Sequence, residues 1–133
     1  MYYADFSESQ KLQMIEELLN YQNDKSLSAL PVQCYNPKIS KVYPGVVTEY
    51  SLQVEALFLI NQIYFEDPYM YSPFPLLLDK NTNTLNEEKT IQTAFKSYRI
   101  WYNKIRSIGI VASREQHIAP LDKNIVWYSG SSW

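Results

Sequence analysis

The segment from Thr48 to Phe65 reads TEYSLQVEALFLINQIYF, and its apolar residues cover almost the whole circumference of a helix. At ~100 degrees per residue, only Ser51, Glu55 and Gln62 fall together in a narrow polar wedge. A soluble helix of this kind has to be buried on nearly all sides, so other elements must pack around it. The segment therefore predicts a central helix at about residues 48–65.

The length and composition of the chain indicate one globular domain that spans residues 1–133. The chain has 133 residues, of which 46% are hydrophobic and 20% charged, as in ordinary globular proteins. It contains 3 glycines against 12 tyrosines. Few glycines mean few backbone positions with positive φ, which disfavours hairpin-rich folds and phosphate-binding loops. The composition therefore favours helices.

Two further amphipathic helices are predicted on either side of the central one. Ser7-Glu8-Ser9-Gln10 has the pattern of a capping box, and the apolar spacing that follows predicts a helix over Ser7–Gln22. The strongest periodicity predicts a helix over Glu87–Ile108, preceded by a possible capping box at Thr84–Glu87 and stopped by Gly109. A shorter helix at 110–117 must end before Pro120.

The remaining segments are predicted to be irregular. Residues 23–47 and 66–86 are rich in proline and asparagine and are expected to form loops, with a possible helical turn near 26–30. Residues 125–128 form a brief extended run. The predicted fold class is all-α: a single compact helical domain around a buried central helix, with long irregular loops.

Charge and cysteine content narrow the classes of function. The net charge of −2 and the pI near 5.4 argue against nucleic-acid binding, which needs concentrated positive charge. The single cysteine, Cys34, excludes an intramolecular disulfide and cysteine-rich zinc sites. No run is apolar enough for a membrane span. The start, Met1–Phe6, lacks the features of a signal peptide, which leaves cytoplasmic and periplasmic locations, and prior removal of a leader or lipid anchor, as alternatives.

The sequence contains no convincing set of catalytic or metal-binding residues. His117 is the single histidine, and it has no partner at a zinc-ligand spacing. We expect no enzyme, no metal and no cofactor, with Glu55, Glu66 and His117 as the nominees for catalysis if that expectation fails. Glu55 interrupts an apolar helix, so if it is covered we expect it to pair with a cation, for which the candidates are Arg99, Lys104 and Arg114.

Two surfaces are candidates for binding a partner. The face of the third long helix opposite its aromatic stripe is basic and consists of Lys89, Gln92, Lys96, Arg99, Asn103 and Arg106. The segment Tyr69–Pro75 is aromatic, and tyrosine is favoured at interfaces. We predict partner contacts at Tyr69, Tyr71, Phe74, Lys96, Arg99 and Arg106. The alternative is that the basic face is merely solvated and that the rings hold the loops to the helices.

The order of several segments resembles small bacterial proteins of the immunity type. The residues that carry the resemblance are Val54–Phe65, Trp101–Gly109, Arg114, Pro120–Leu121 and Trp127–Tyr128. The similarity covers about residues 48–128 and consists of helices and aromatic anchors. It implies a protein that binds and blocks a secreted or polymorphic toxin, and it assigns no individual binding residue.

A second function class remains as an alternative. An exported or lipid-anchored module could bind a small molecule or a cell-envelope component in an aromatic pocket near Tyr69, Phe74 and Trp127. A concave aromatic pocket in the structure would distinguish this class from a protein that acts through its outer surface.

Overall fold

A computed structural model describes residues 5–36, 38, 43 and 45–129. The described residues do not include residues 1–4, which belong to the segment predicted to lack a signal peptide. They also omit parts of the predicted loop at 23–47. In chain order the elements are α1 (Glu8–Leu18), a 3₁₀ helix (Leu19–Asn23), α2 (Leu52–Tyr64), α3 (Pro68–Tyr71), β1 (Leu77–Asp79), β2 (Thr84–Leu85), α4 (Glu88–Ile108), α5 (Ile110–Glu115) and β3 (Ile125–Trp127).

Helix α2 is the buried centre of the protein, as its sequence predicted. Every residue from Leu52 to Tyr64 is buried or half-buried. The Ser51 hydroxyl accepts a hydrogen bond from the Val54 amide at 3.4 Å and caps the first turn. Helices α1, α3 and α4 and the 3₁₀ helix all pack on α2, which explains why apolar residues surround it.

The two flanking helices also form where they were predicted. The capping box of α1 is present, with the Gln10 amide donating to the Ser7 hydroxyl at 3.2 Å and the Ser7 amide donating to the Gln10 side chain at 2.8 Å. Helix α4 ends at Gly109, which has a φ of 95°. The Ile110 amide there donates to the Glu8 carboxylate, so the start of α1 is tied to the junction between α4 and α5.

The prediction of an all-α fold is wrong, because the described residues contain a three-stranded antiparallel sheet in the order β2-β1-β3. In its register Leu78 lies opposite both Leu85 and Val126, and Leu77 lies opposite Trp127. The segment 66–86, expected to be a loop, therefore supplies α3 and two strands. The expected capping box at Thr84 is absent, because Thr84 belongs to β2 and α4 begins after Glu87 without a side-chain cap.

Asparagine residues adopt the positive φ values that the scarcity of glycine had seemed to exclude. Asn83 and Asn86 have φ values of 56° and 52°, a region in which asparagine is tolerated better than other non-glycine residues. Asn83 lies in the turn between β1 and β2, where its amide donates to the Asp79 carbonyl at 2.7 Å. A hairpin can therefore form without glycine, which is the physical reason that the composition argument failed.

A buried polar network joins the sheet to the helices. The Tyr98 hydroxyl donates to the Asn61 side-chain oxygen at 2.6 Å and accepts from the Trp127 indole at 2.9 Å. The Asn61 amide group donates to the Ser72 hydroxyl at 3.0 Å, and Ser72 donates to the Pro68 carbonyl at 3.3 Å. The network connects α2, α3, α4 and β3 in one interior cluster, which we call the Asn61 network.

Candidate functional site

The aromatic residues predicted to contact a partner lie at different depths. Phe74 has no exposed surface and packs with Leu76 and Tyr128 in a small hydrophobic cluster. This prediction therefore needs correction: Phe74 is not available to a partner in this structure. Tyr69 is half-buried and stacks on Tyr35, with 6.1 Å between ring centroids.

The predicted basic face of α4 is only partly free. The Arg99 guanidinium donates to the Leu19 carbonyl at 2.7 Å and to the Gln22 side chain at 3.0 Å, so it holds the 3₁₀ helix against α4. Arg106 lies over the Tyr102 ring at 5.6 Å from its centroid. Both cations therefore have intramolecular contacts, which the sequence did not indicate.

The exposed side of α4 includes Lys89, Lys96, Arg99, Asn103 and Arg106 of the predicted face and extends beyond it to Ile100 and Lys104. We call the strip of Lys89, Lys96, Ile100 and Lys104 the lysine face. Lys96, Ile100 and Lys104 follow one another at intervals of four residues and therefore share one side of the helix. Ile100 is 53% exposed in their midst. The ion pairs among the described residues are Lys38–Asp67 and Arg114–Glu66, so neither pair involves these lysines.

A groove at the carboxyl end of α2 brings charged and aromatic side chains together, and we call it the Arg114 groove. Its volume is about 460 Å³. The end of α2, helix α3 and the segment from α5 to residue 119 form its walls. The lining residues are Tyr64, Phe65, Glu66, Tyr71, Val111, Arg114, Glu115, His117, Ile118 and Ala119.

Arg114 is the main polar group of the groove. Its side chain is 23% exposed, and its Nη1 group donates to the Tyr64 carbonyl at 3.1 Å. The Glu66 carboxylate lies 4.0 Å from the same Nη1 and is itself 84% exposed. The buried Nε has no hydrogen-bond acceptor among the described residues. Because guanidinium has five N–H donors, most of its hydrogen-bonding capacity is unused by the described protein groups.

Aromatic rings form one side of the groove. Phe65 and Tyr71 are stacked, with 4.1 Å between ring centroids. Burial raises the pKa of Tyr71 above its ordinary value, although hydrogen bonds with the Leu121 backbone and with Tyr98 oppose the shift. Tyr71 was predicted as a contact on an exposed loop. It is instead a half-buried wall of the groove, next to the Asn61 network.

Two of the three nominees for catalysis, Glu66 and His117, line this same groove. His117 has a φ of 56° and ends α5, because its amide donates to the Arg114 carbonyl at 3.0 Å and the Ile118 amide donates to the Ser113 carbonyl at 3.1 Å. This is the Schellman arrangement, with histidine at the position that usually holds glycine. Among the described residues no hydrogen bond fixes its imidazole.

The third nominee, Glu55, is half-buried beside Leu18, Tyr21 and Leu52 in a smaller cavity of about 150 Å³. No described cation lies within ion-pair distance of its carboxylate, so the predicted pairing with Arg99, Lys104 or Arg114 does not form. Its partial exposure explains this difference, since water can solvate the charge.

The described residues contain no group of three or more histidine, cysteine, aspartate or glutamate side chains able to hold a metal ion. Within the same part of the chain, no helix combines the length and apolarity needed to cross a bilayer.

Comparisons of the chain with protein-family models, with curated proteins and with solved structures find no match. Its function therefore has to be inferred from the lysine face and the Arg114 groove. The sequence indicated part of the lysine face through helical periodicity. It gave little indication of the groove, because Arg114, Tyr71 and Phe65 come from three separate segments.

Proposed function

We propose that this chain is a non-enzymatic bacterial binding protein that neutralises a cognate toxin by direct contact through the lysine face. The observation that supports the proposal best is the half-exposed Ile100 between Lys96 and Lys104 on the outer side of α4. An apolar centre within a charged rim is the usual composition of a protein-binding patch.

The partner of this patch is a protein with an acidic surface. Lysines that lack an intramolecular carboxylate partner attract negative charge, accelerate encounter and select against basic surfaces. Lys89 lies two helical turns before Lys96 and extends the positive strip along α4. The resemblance of the sequence to immunity-type proteins supports a toxin as the partner.

The helix backbone beneath the lysine face is held in place by the core, which favours binding. The opposite side of α4 is fixed in the core by Phe95, Tyr98 and Trp101, all of which are buried. A surface that is ordered before binding loses less conformational entropy in the complex. Binding through the proposed interface therefore does not require a loop to become ordered.

The test asks whether the gene beside this chain's gene encodes a toxin, and whether the protein binds and neutralises that toxin. The purified wild-type protein should bind that toxin and abolish its activity. The double variant Lys96→Glu/Lys104→Glu should bind at least about tenfold more weakly, with a slower association rate and an altered salt dependence. Arg99→Glu is unsuitable, since Arg99 also holds the 3₁₀ helix.

The matched control is Lys25→Glu/Lys123→Glu, which makes the same change in net charge at two exposed positions outside α4. This control should bind as the wild type does. Equal affinity of the two double variants would disprove the assignment of the interface. A neighbouring gene of another kind, together with no neutralisation by the wild type, would disprove the function.

A further inference from the structure

We propose that the Arg114 groove binds a small zwitterion: a molecule that carries one carboxylate, one ammonium group and an apolar or aromatic body, as a free aromatic amino acid does. This inference does not depend on the proposed function, because the groove is formed by the end of α2, α3 and α5 and excludes the lysine face. The proposed site also differs from the predicted aromatic pocket near Tyr69, Phe74 and Trp127, in which Phe74 and Trp127 are buried.

Arg114 provides the recognition of the carboxylate. One of its N–H groups is used by the Tyr64 carbonyl, and that bond orients the guanidinium within the groove. The contact with Glu66 is long, at 4.0 Å, and largely exposed, so it satisfies little of the remaining capacity. A planar guanidinium binds a carboxylate through two parallel hydrogen bonds, and partial burial strengthens them.

The apolar walls provide the recognition of the body of the ligand. Phe65 and Tyr71 present a stacked pair of rings, and Val111 and Ile118 line the same groove. Tyr64 lies almost fully buried behind these walls, with its hydroxyl bonded to Ser113 at 2.8 Å. A volume of about 460 Å³ lies within the range of pockets that hold small organic molecules.

The balance of charge in the lining selects the zwitterion over a simple anion. The groove contains one guanidinium, from Arg114, and two carboxylates, from Glu66 and Glu115. Glu66 and Glu115 are exposed, whereas Arg114 is largely covered. A ligand with its carboxylate at Arg114 and its ammonium group near the carboxylates matches both charges. A phosphate dianion or a ligand with a carboxylate alone is repelled by the two glutamates.

The experiment titrates the full-length protein with three related probes and follows binding by NMR chemical-shift changes and calorimetry. The probes are L-phenylalanine, 3-phenylpropanoate, which lacks the amine, and 2-phenylethylamine, which lacks the carboxylate. L-phenylalanine should bind at millimolar or lower concentration and shift the signals of groove residues. 2-Phenylethylamine, which cannot bind to the guanidinium, should bind at least about tenfold more weakly. 3-Phenylpropanoate should bind about two- to fivefold more weakly, because the carboxylates near the ammonium group are exposed.

Variants locate the site. Val111 is 57% exposed at the groove, so Val111→Trp should fill it without loss of folding and should reduce binding at least about tenfold. The control Ile100→Trp, at a similarly exposed position on the lysine face, should bind L-phenylalanine as the wild type does. Glu66→Gln should reduce the preference for L-phenylalanine over 3-phenylpropanoate, because it removes a carboxylate near the ammonium group.

Several results would overturn the proposal. One is the absence of binding by all three probes at millimolar concentration. A second is equal binding of L-phenylalanine and 3-phenylpropanoate by the wild type, which would make the groove a site for simple anions. A third is unchanged binding by Val111→Trp in a protein that a folding measurement shows to be intact. None of these results would affect neutralisation of a toxin, so the two proposals fail independently.

Discussion

The Asn61 network and the Arg114 groove both place polar groups among aromatic rings, but they differ in how fully those groups are paired. In the network, Asn61, Ser72 and Tyr98 are completely buried, and each has a hydrogen-bond partner at 2.6–3.0 Å. In the groove, the described residues give Arg114 one hydrogen bond and a distant, exposed carboxylate. The groove is also open to solvent, whereas the network is enclosed in the interior.

This difference separates a structural role from a binding role. A buried polar group that lacks its partner costs free energy, so a fully paired network holds the elements in one arrangement. A cation that keeps most of its donors free at a concave surface can instead exchange water for a ligand. Four measurements test this distinction.

The largest effect is expected from Asn61→Ala. The change leaves Tyr98 without its acceptor and Ser72 without its donor in the interior, which should lower the free energy of unfolding by about 2–4 kcal/mol. Denaturation by urea measures this loss. The control Asn103→Ala removes the same side chain from an exposed position of α4 and should change stability by less than about 0.5 kcal/mol. Similar values for the two variants would show that the network does not hold the fold together.

The second effect is a loss of stability at alkaline pH. Burial raises the pKa of Tyr98 well above its ordinary value of 10.0, and burial likewise raises the pKa of Tyr50 to about 12. The unfolded chain therefore releases these protons at lower pH than the folded protein does, so the stabilisation is complete below pH 10 and declines above it. The loss should reach about 1 kcal/mol per buried tyrosine near pH 11.

Urea denaturation at a series of pH values from 8 to 11 measures the decline. A free energy of unfolding that stays constant across this range would contradict the burial of these hydroxyl groups. Because Tyr98 is part of the network, Tyr98→Phe should reduce the pH dependence as well as the stability.

The substitution His117→Gly, on the wall of the groove, is expected to produce a smaller change in stability, and one of opposite sign. The backbone of His117 is left-handed, with φ of 56°, and glycine adopts this region without strain, so stability should rise by about 0.5–1 kcal/mol. The matched control is the neighbouring Gln116→Gly, at φ of −85°, which should instead lose stability. A loss of stability in His117→Gly would show that the imidazole has an essential contact.

The smallest effect is expected from Glu66→Gln. The carboxylate is 84% exposed and 4.0 Å from Arg114, and ion pairs of this kind contribute less than about 0.5 kcal/mol. Thermal or urea denaturation should therefore leave the variant close to the wild type. A loss above about 1 kcal/mol would mean that Arg114 and Glu66 form a structural pair, and that the groove has less free donor capacity than we infer.

The sequence predicted the long helices well because their signal is local. Helix α2 was recognised from apolar residues around its whole circumference, α1 from the Ser7 capping box, and α4 from regular spacing up to Gly109. Each of these features lies within one segment, and the packing in the structure agrees with it. The apolar run Leu76–Leu78, followed by turn residues, was the one available signal for a hairpin, but strands of two or three residues give almost no periodicity.

Tertiary structure decided the rest, because the missing information depends on residues that are distant along the chain. Leu77 becomes part of a strand by pairing with Trp127, and Arg99 changes from a surface cation to a cap through the Leu19 carbonyl. The groove likewise exists because Tyr71 and Arg114 meet at the end of α2. The sequence by itself determined which long helices form and which of them is buried, since side-chain periodicity follows backbone geometry. Only the fold decided which polar groups are paired and which remain available to a ligand.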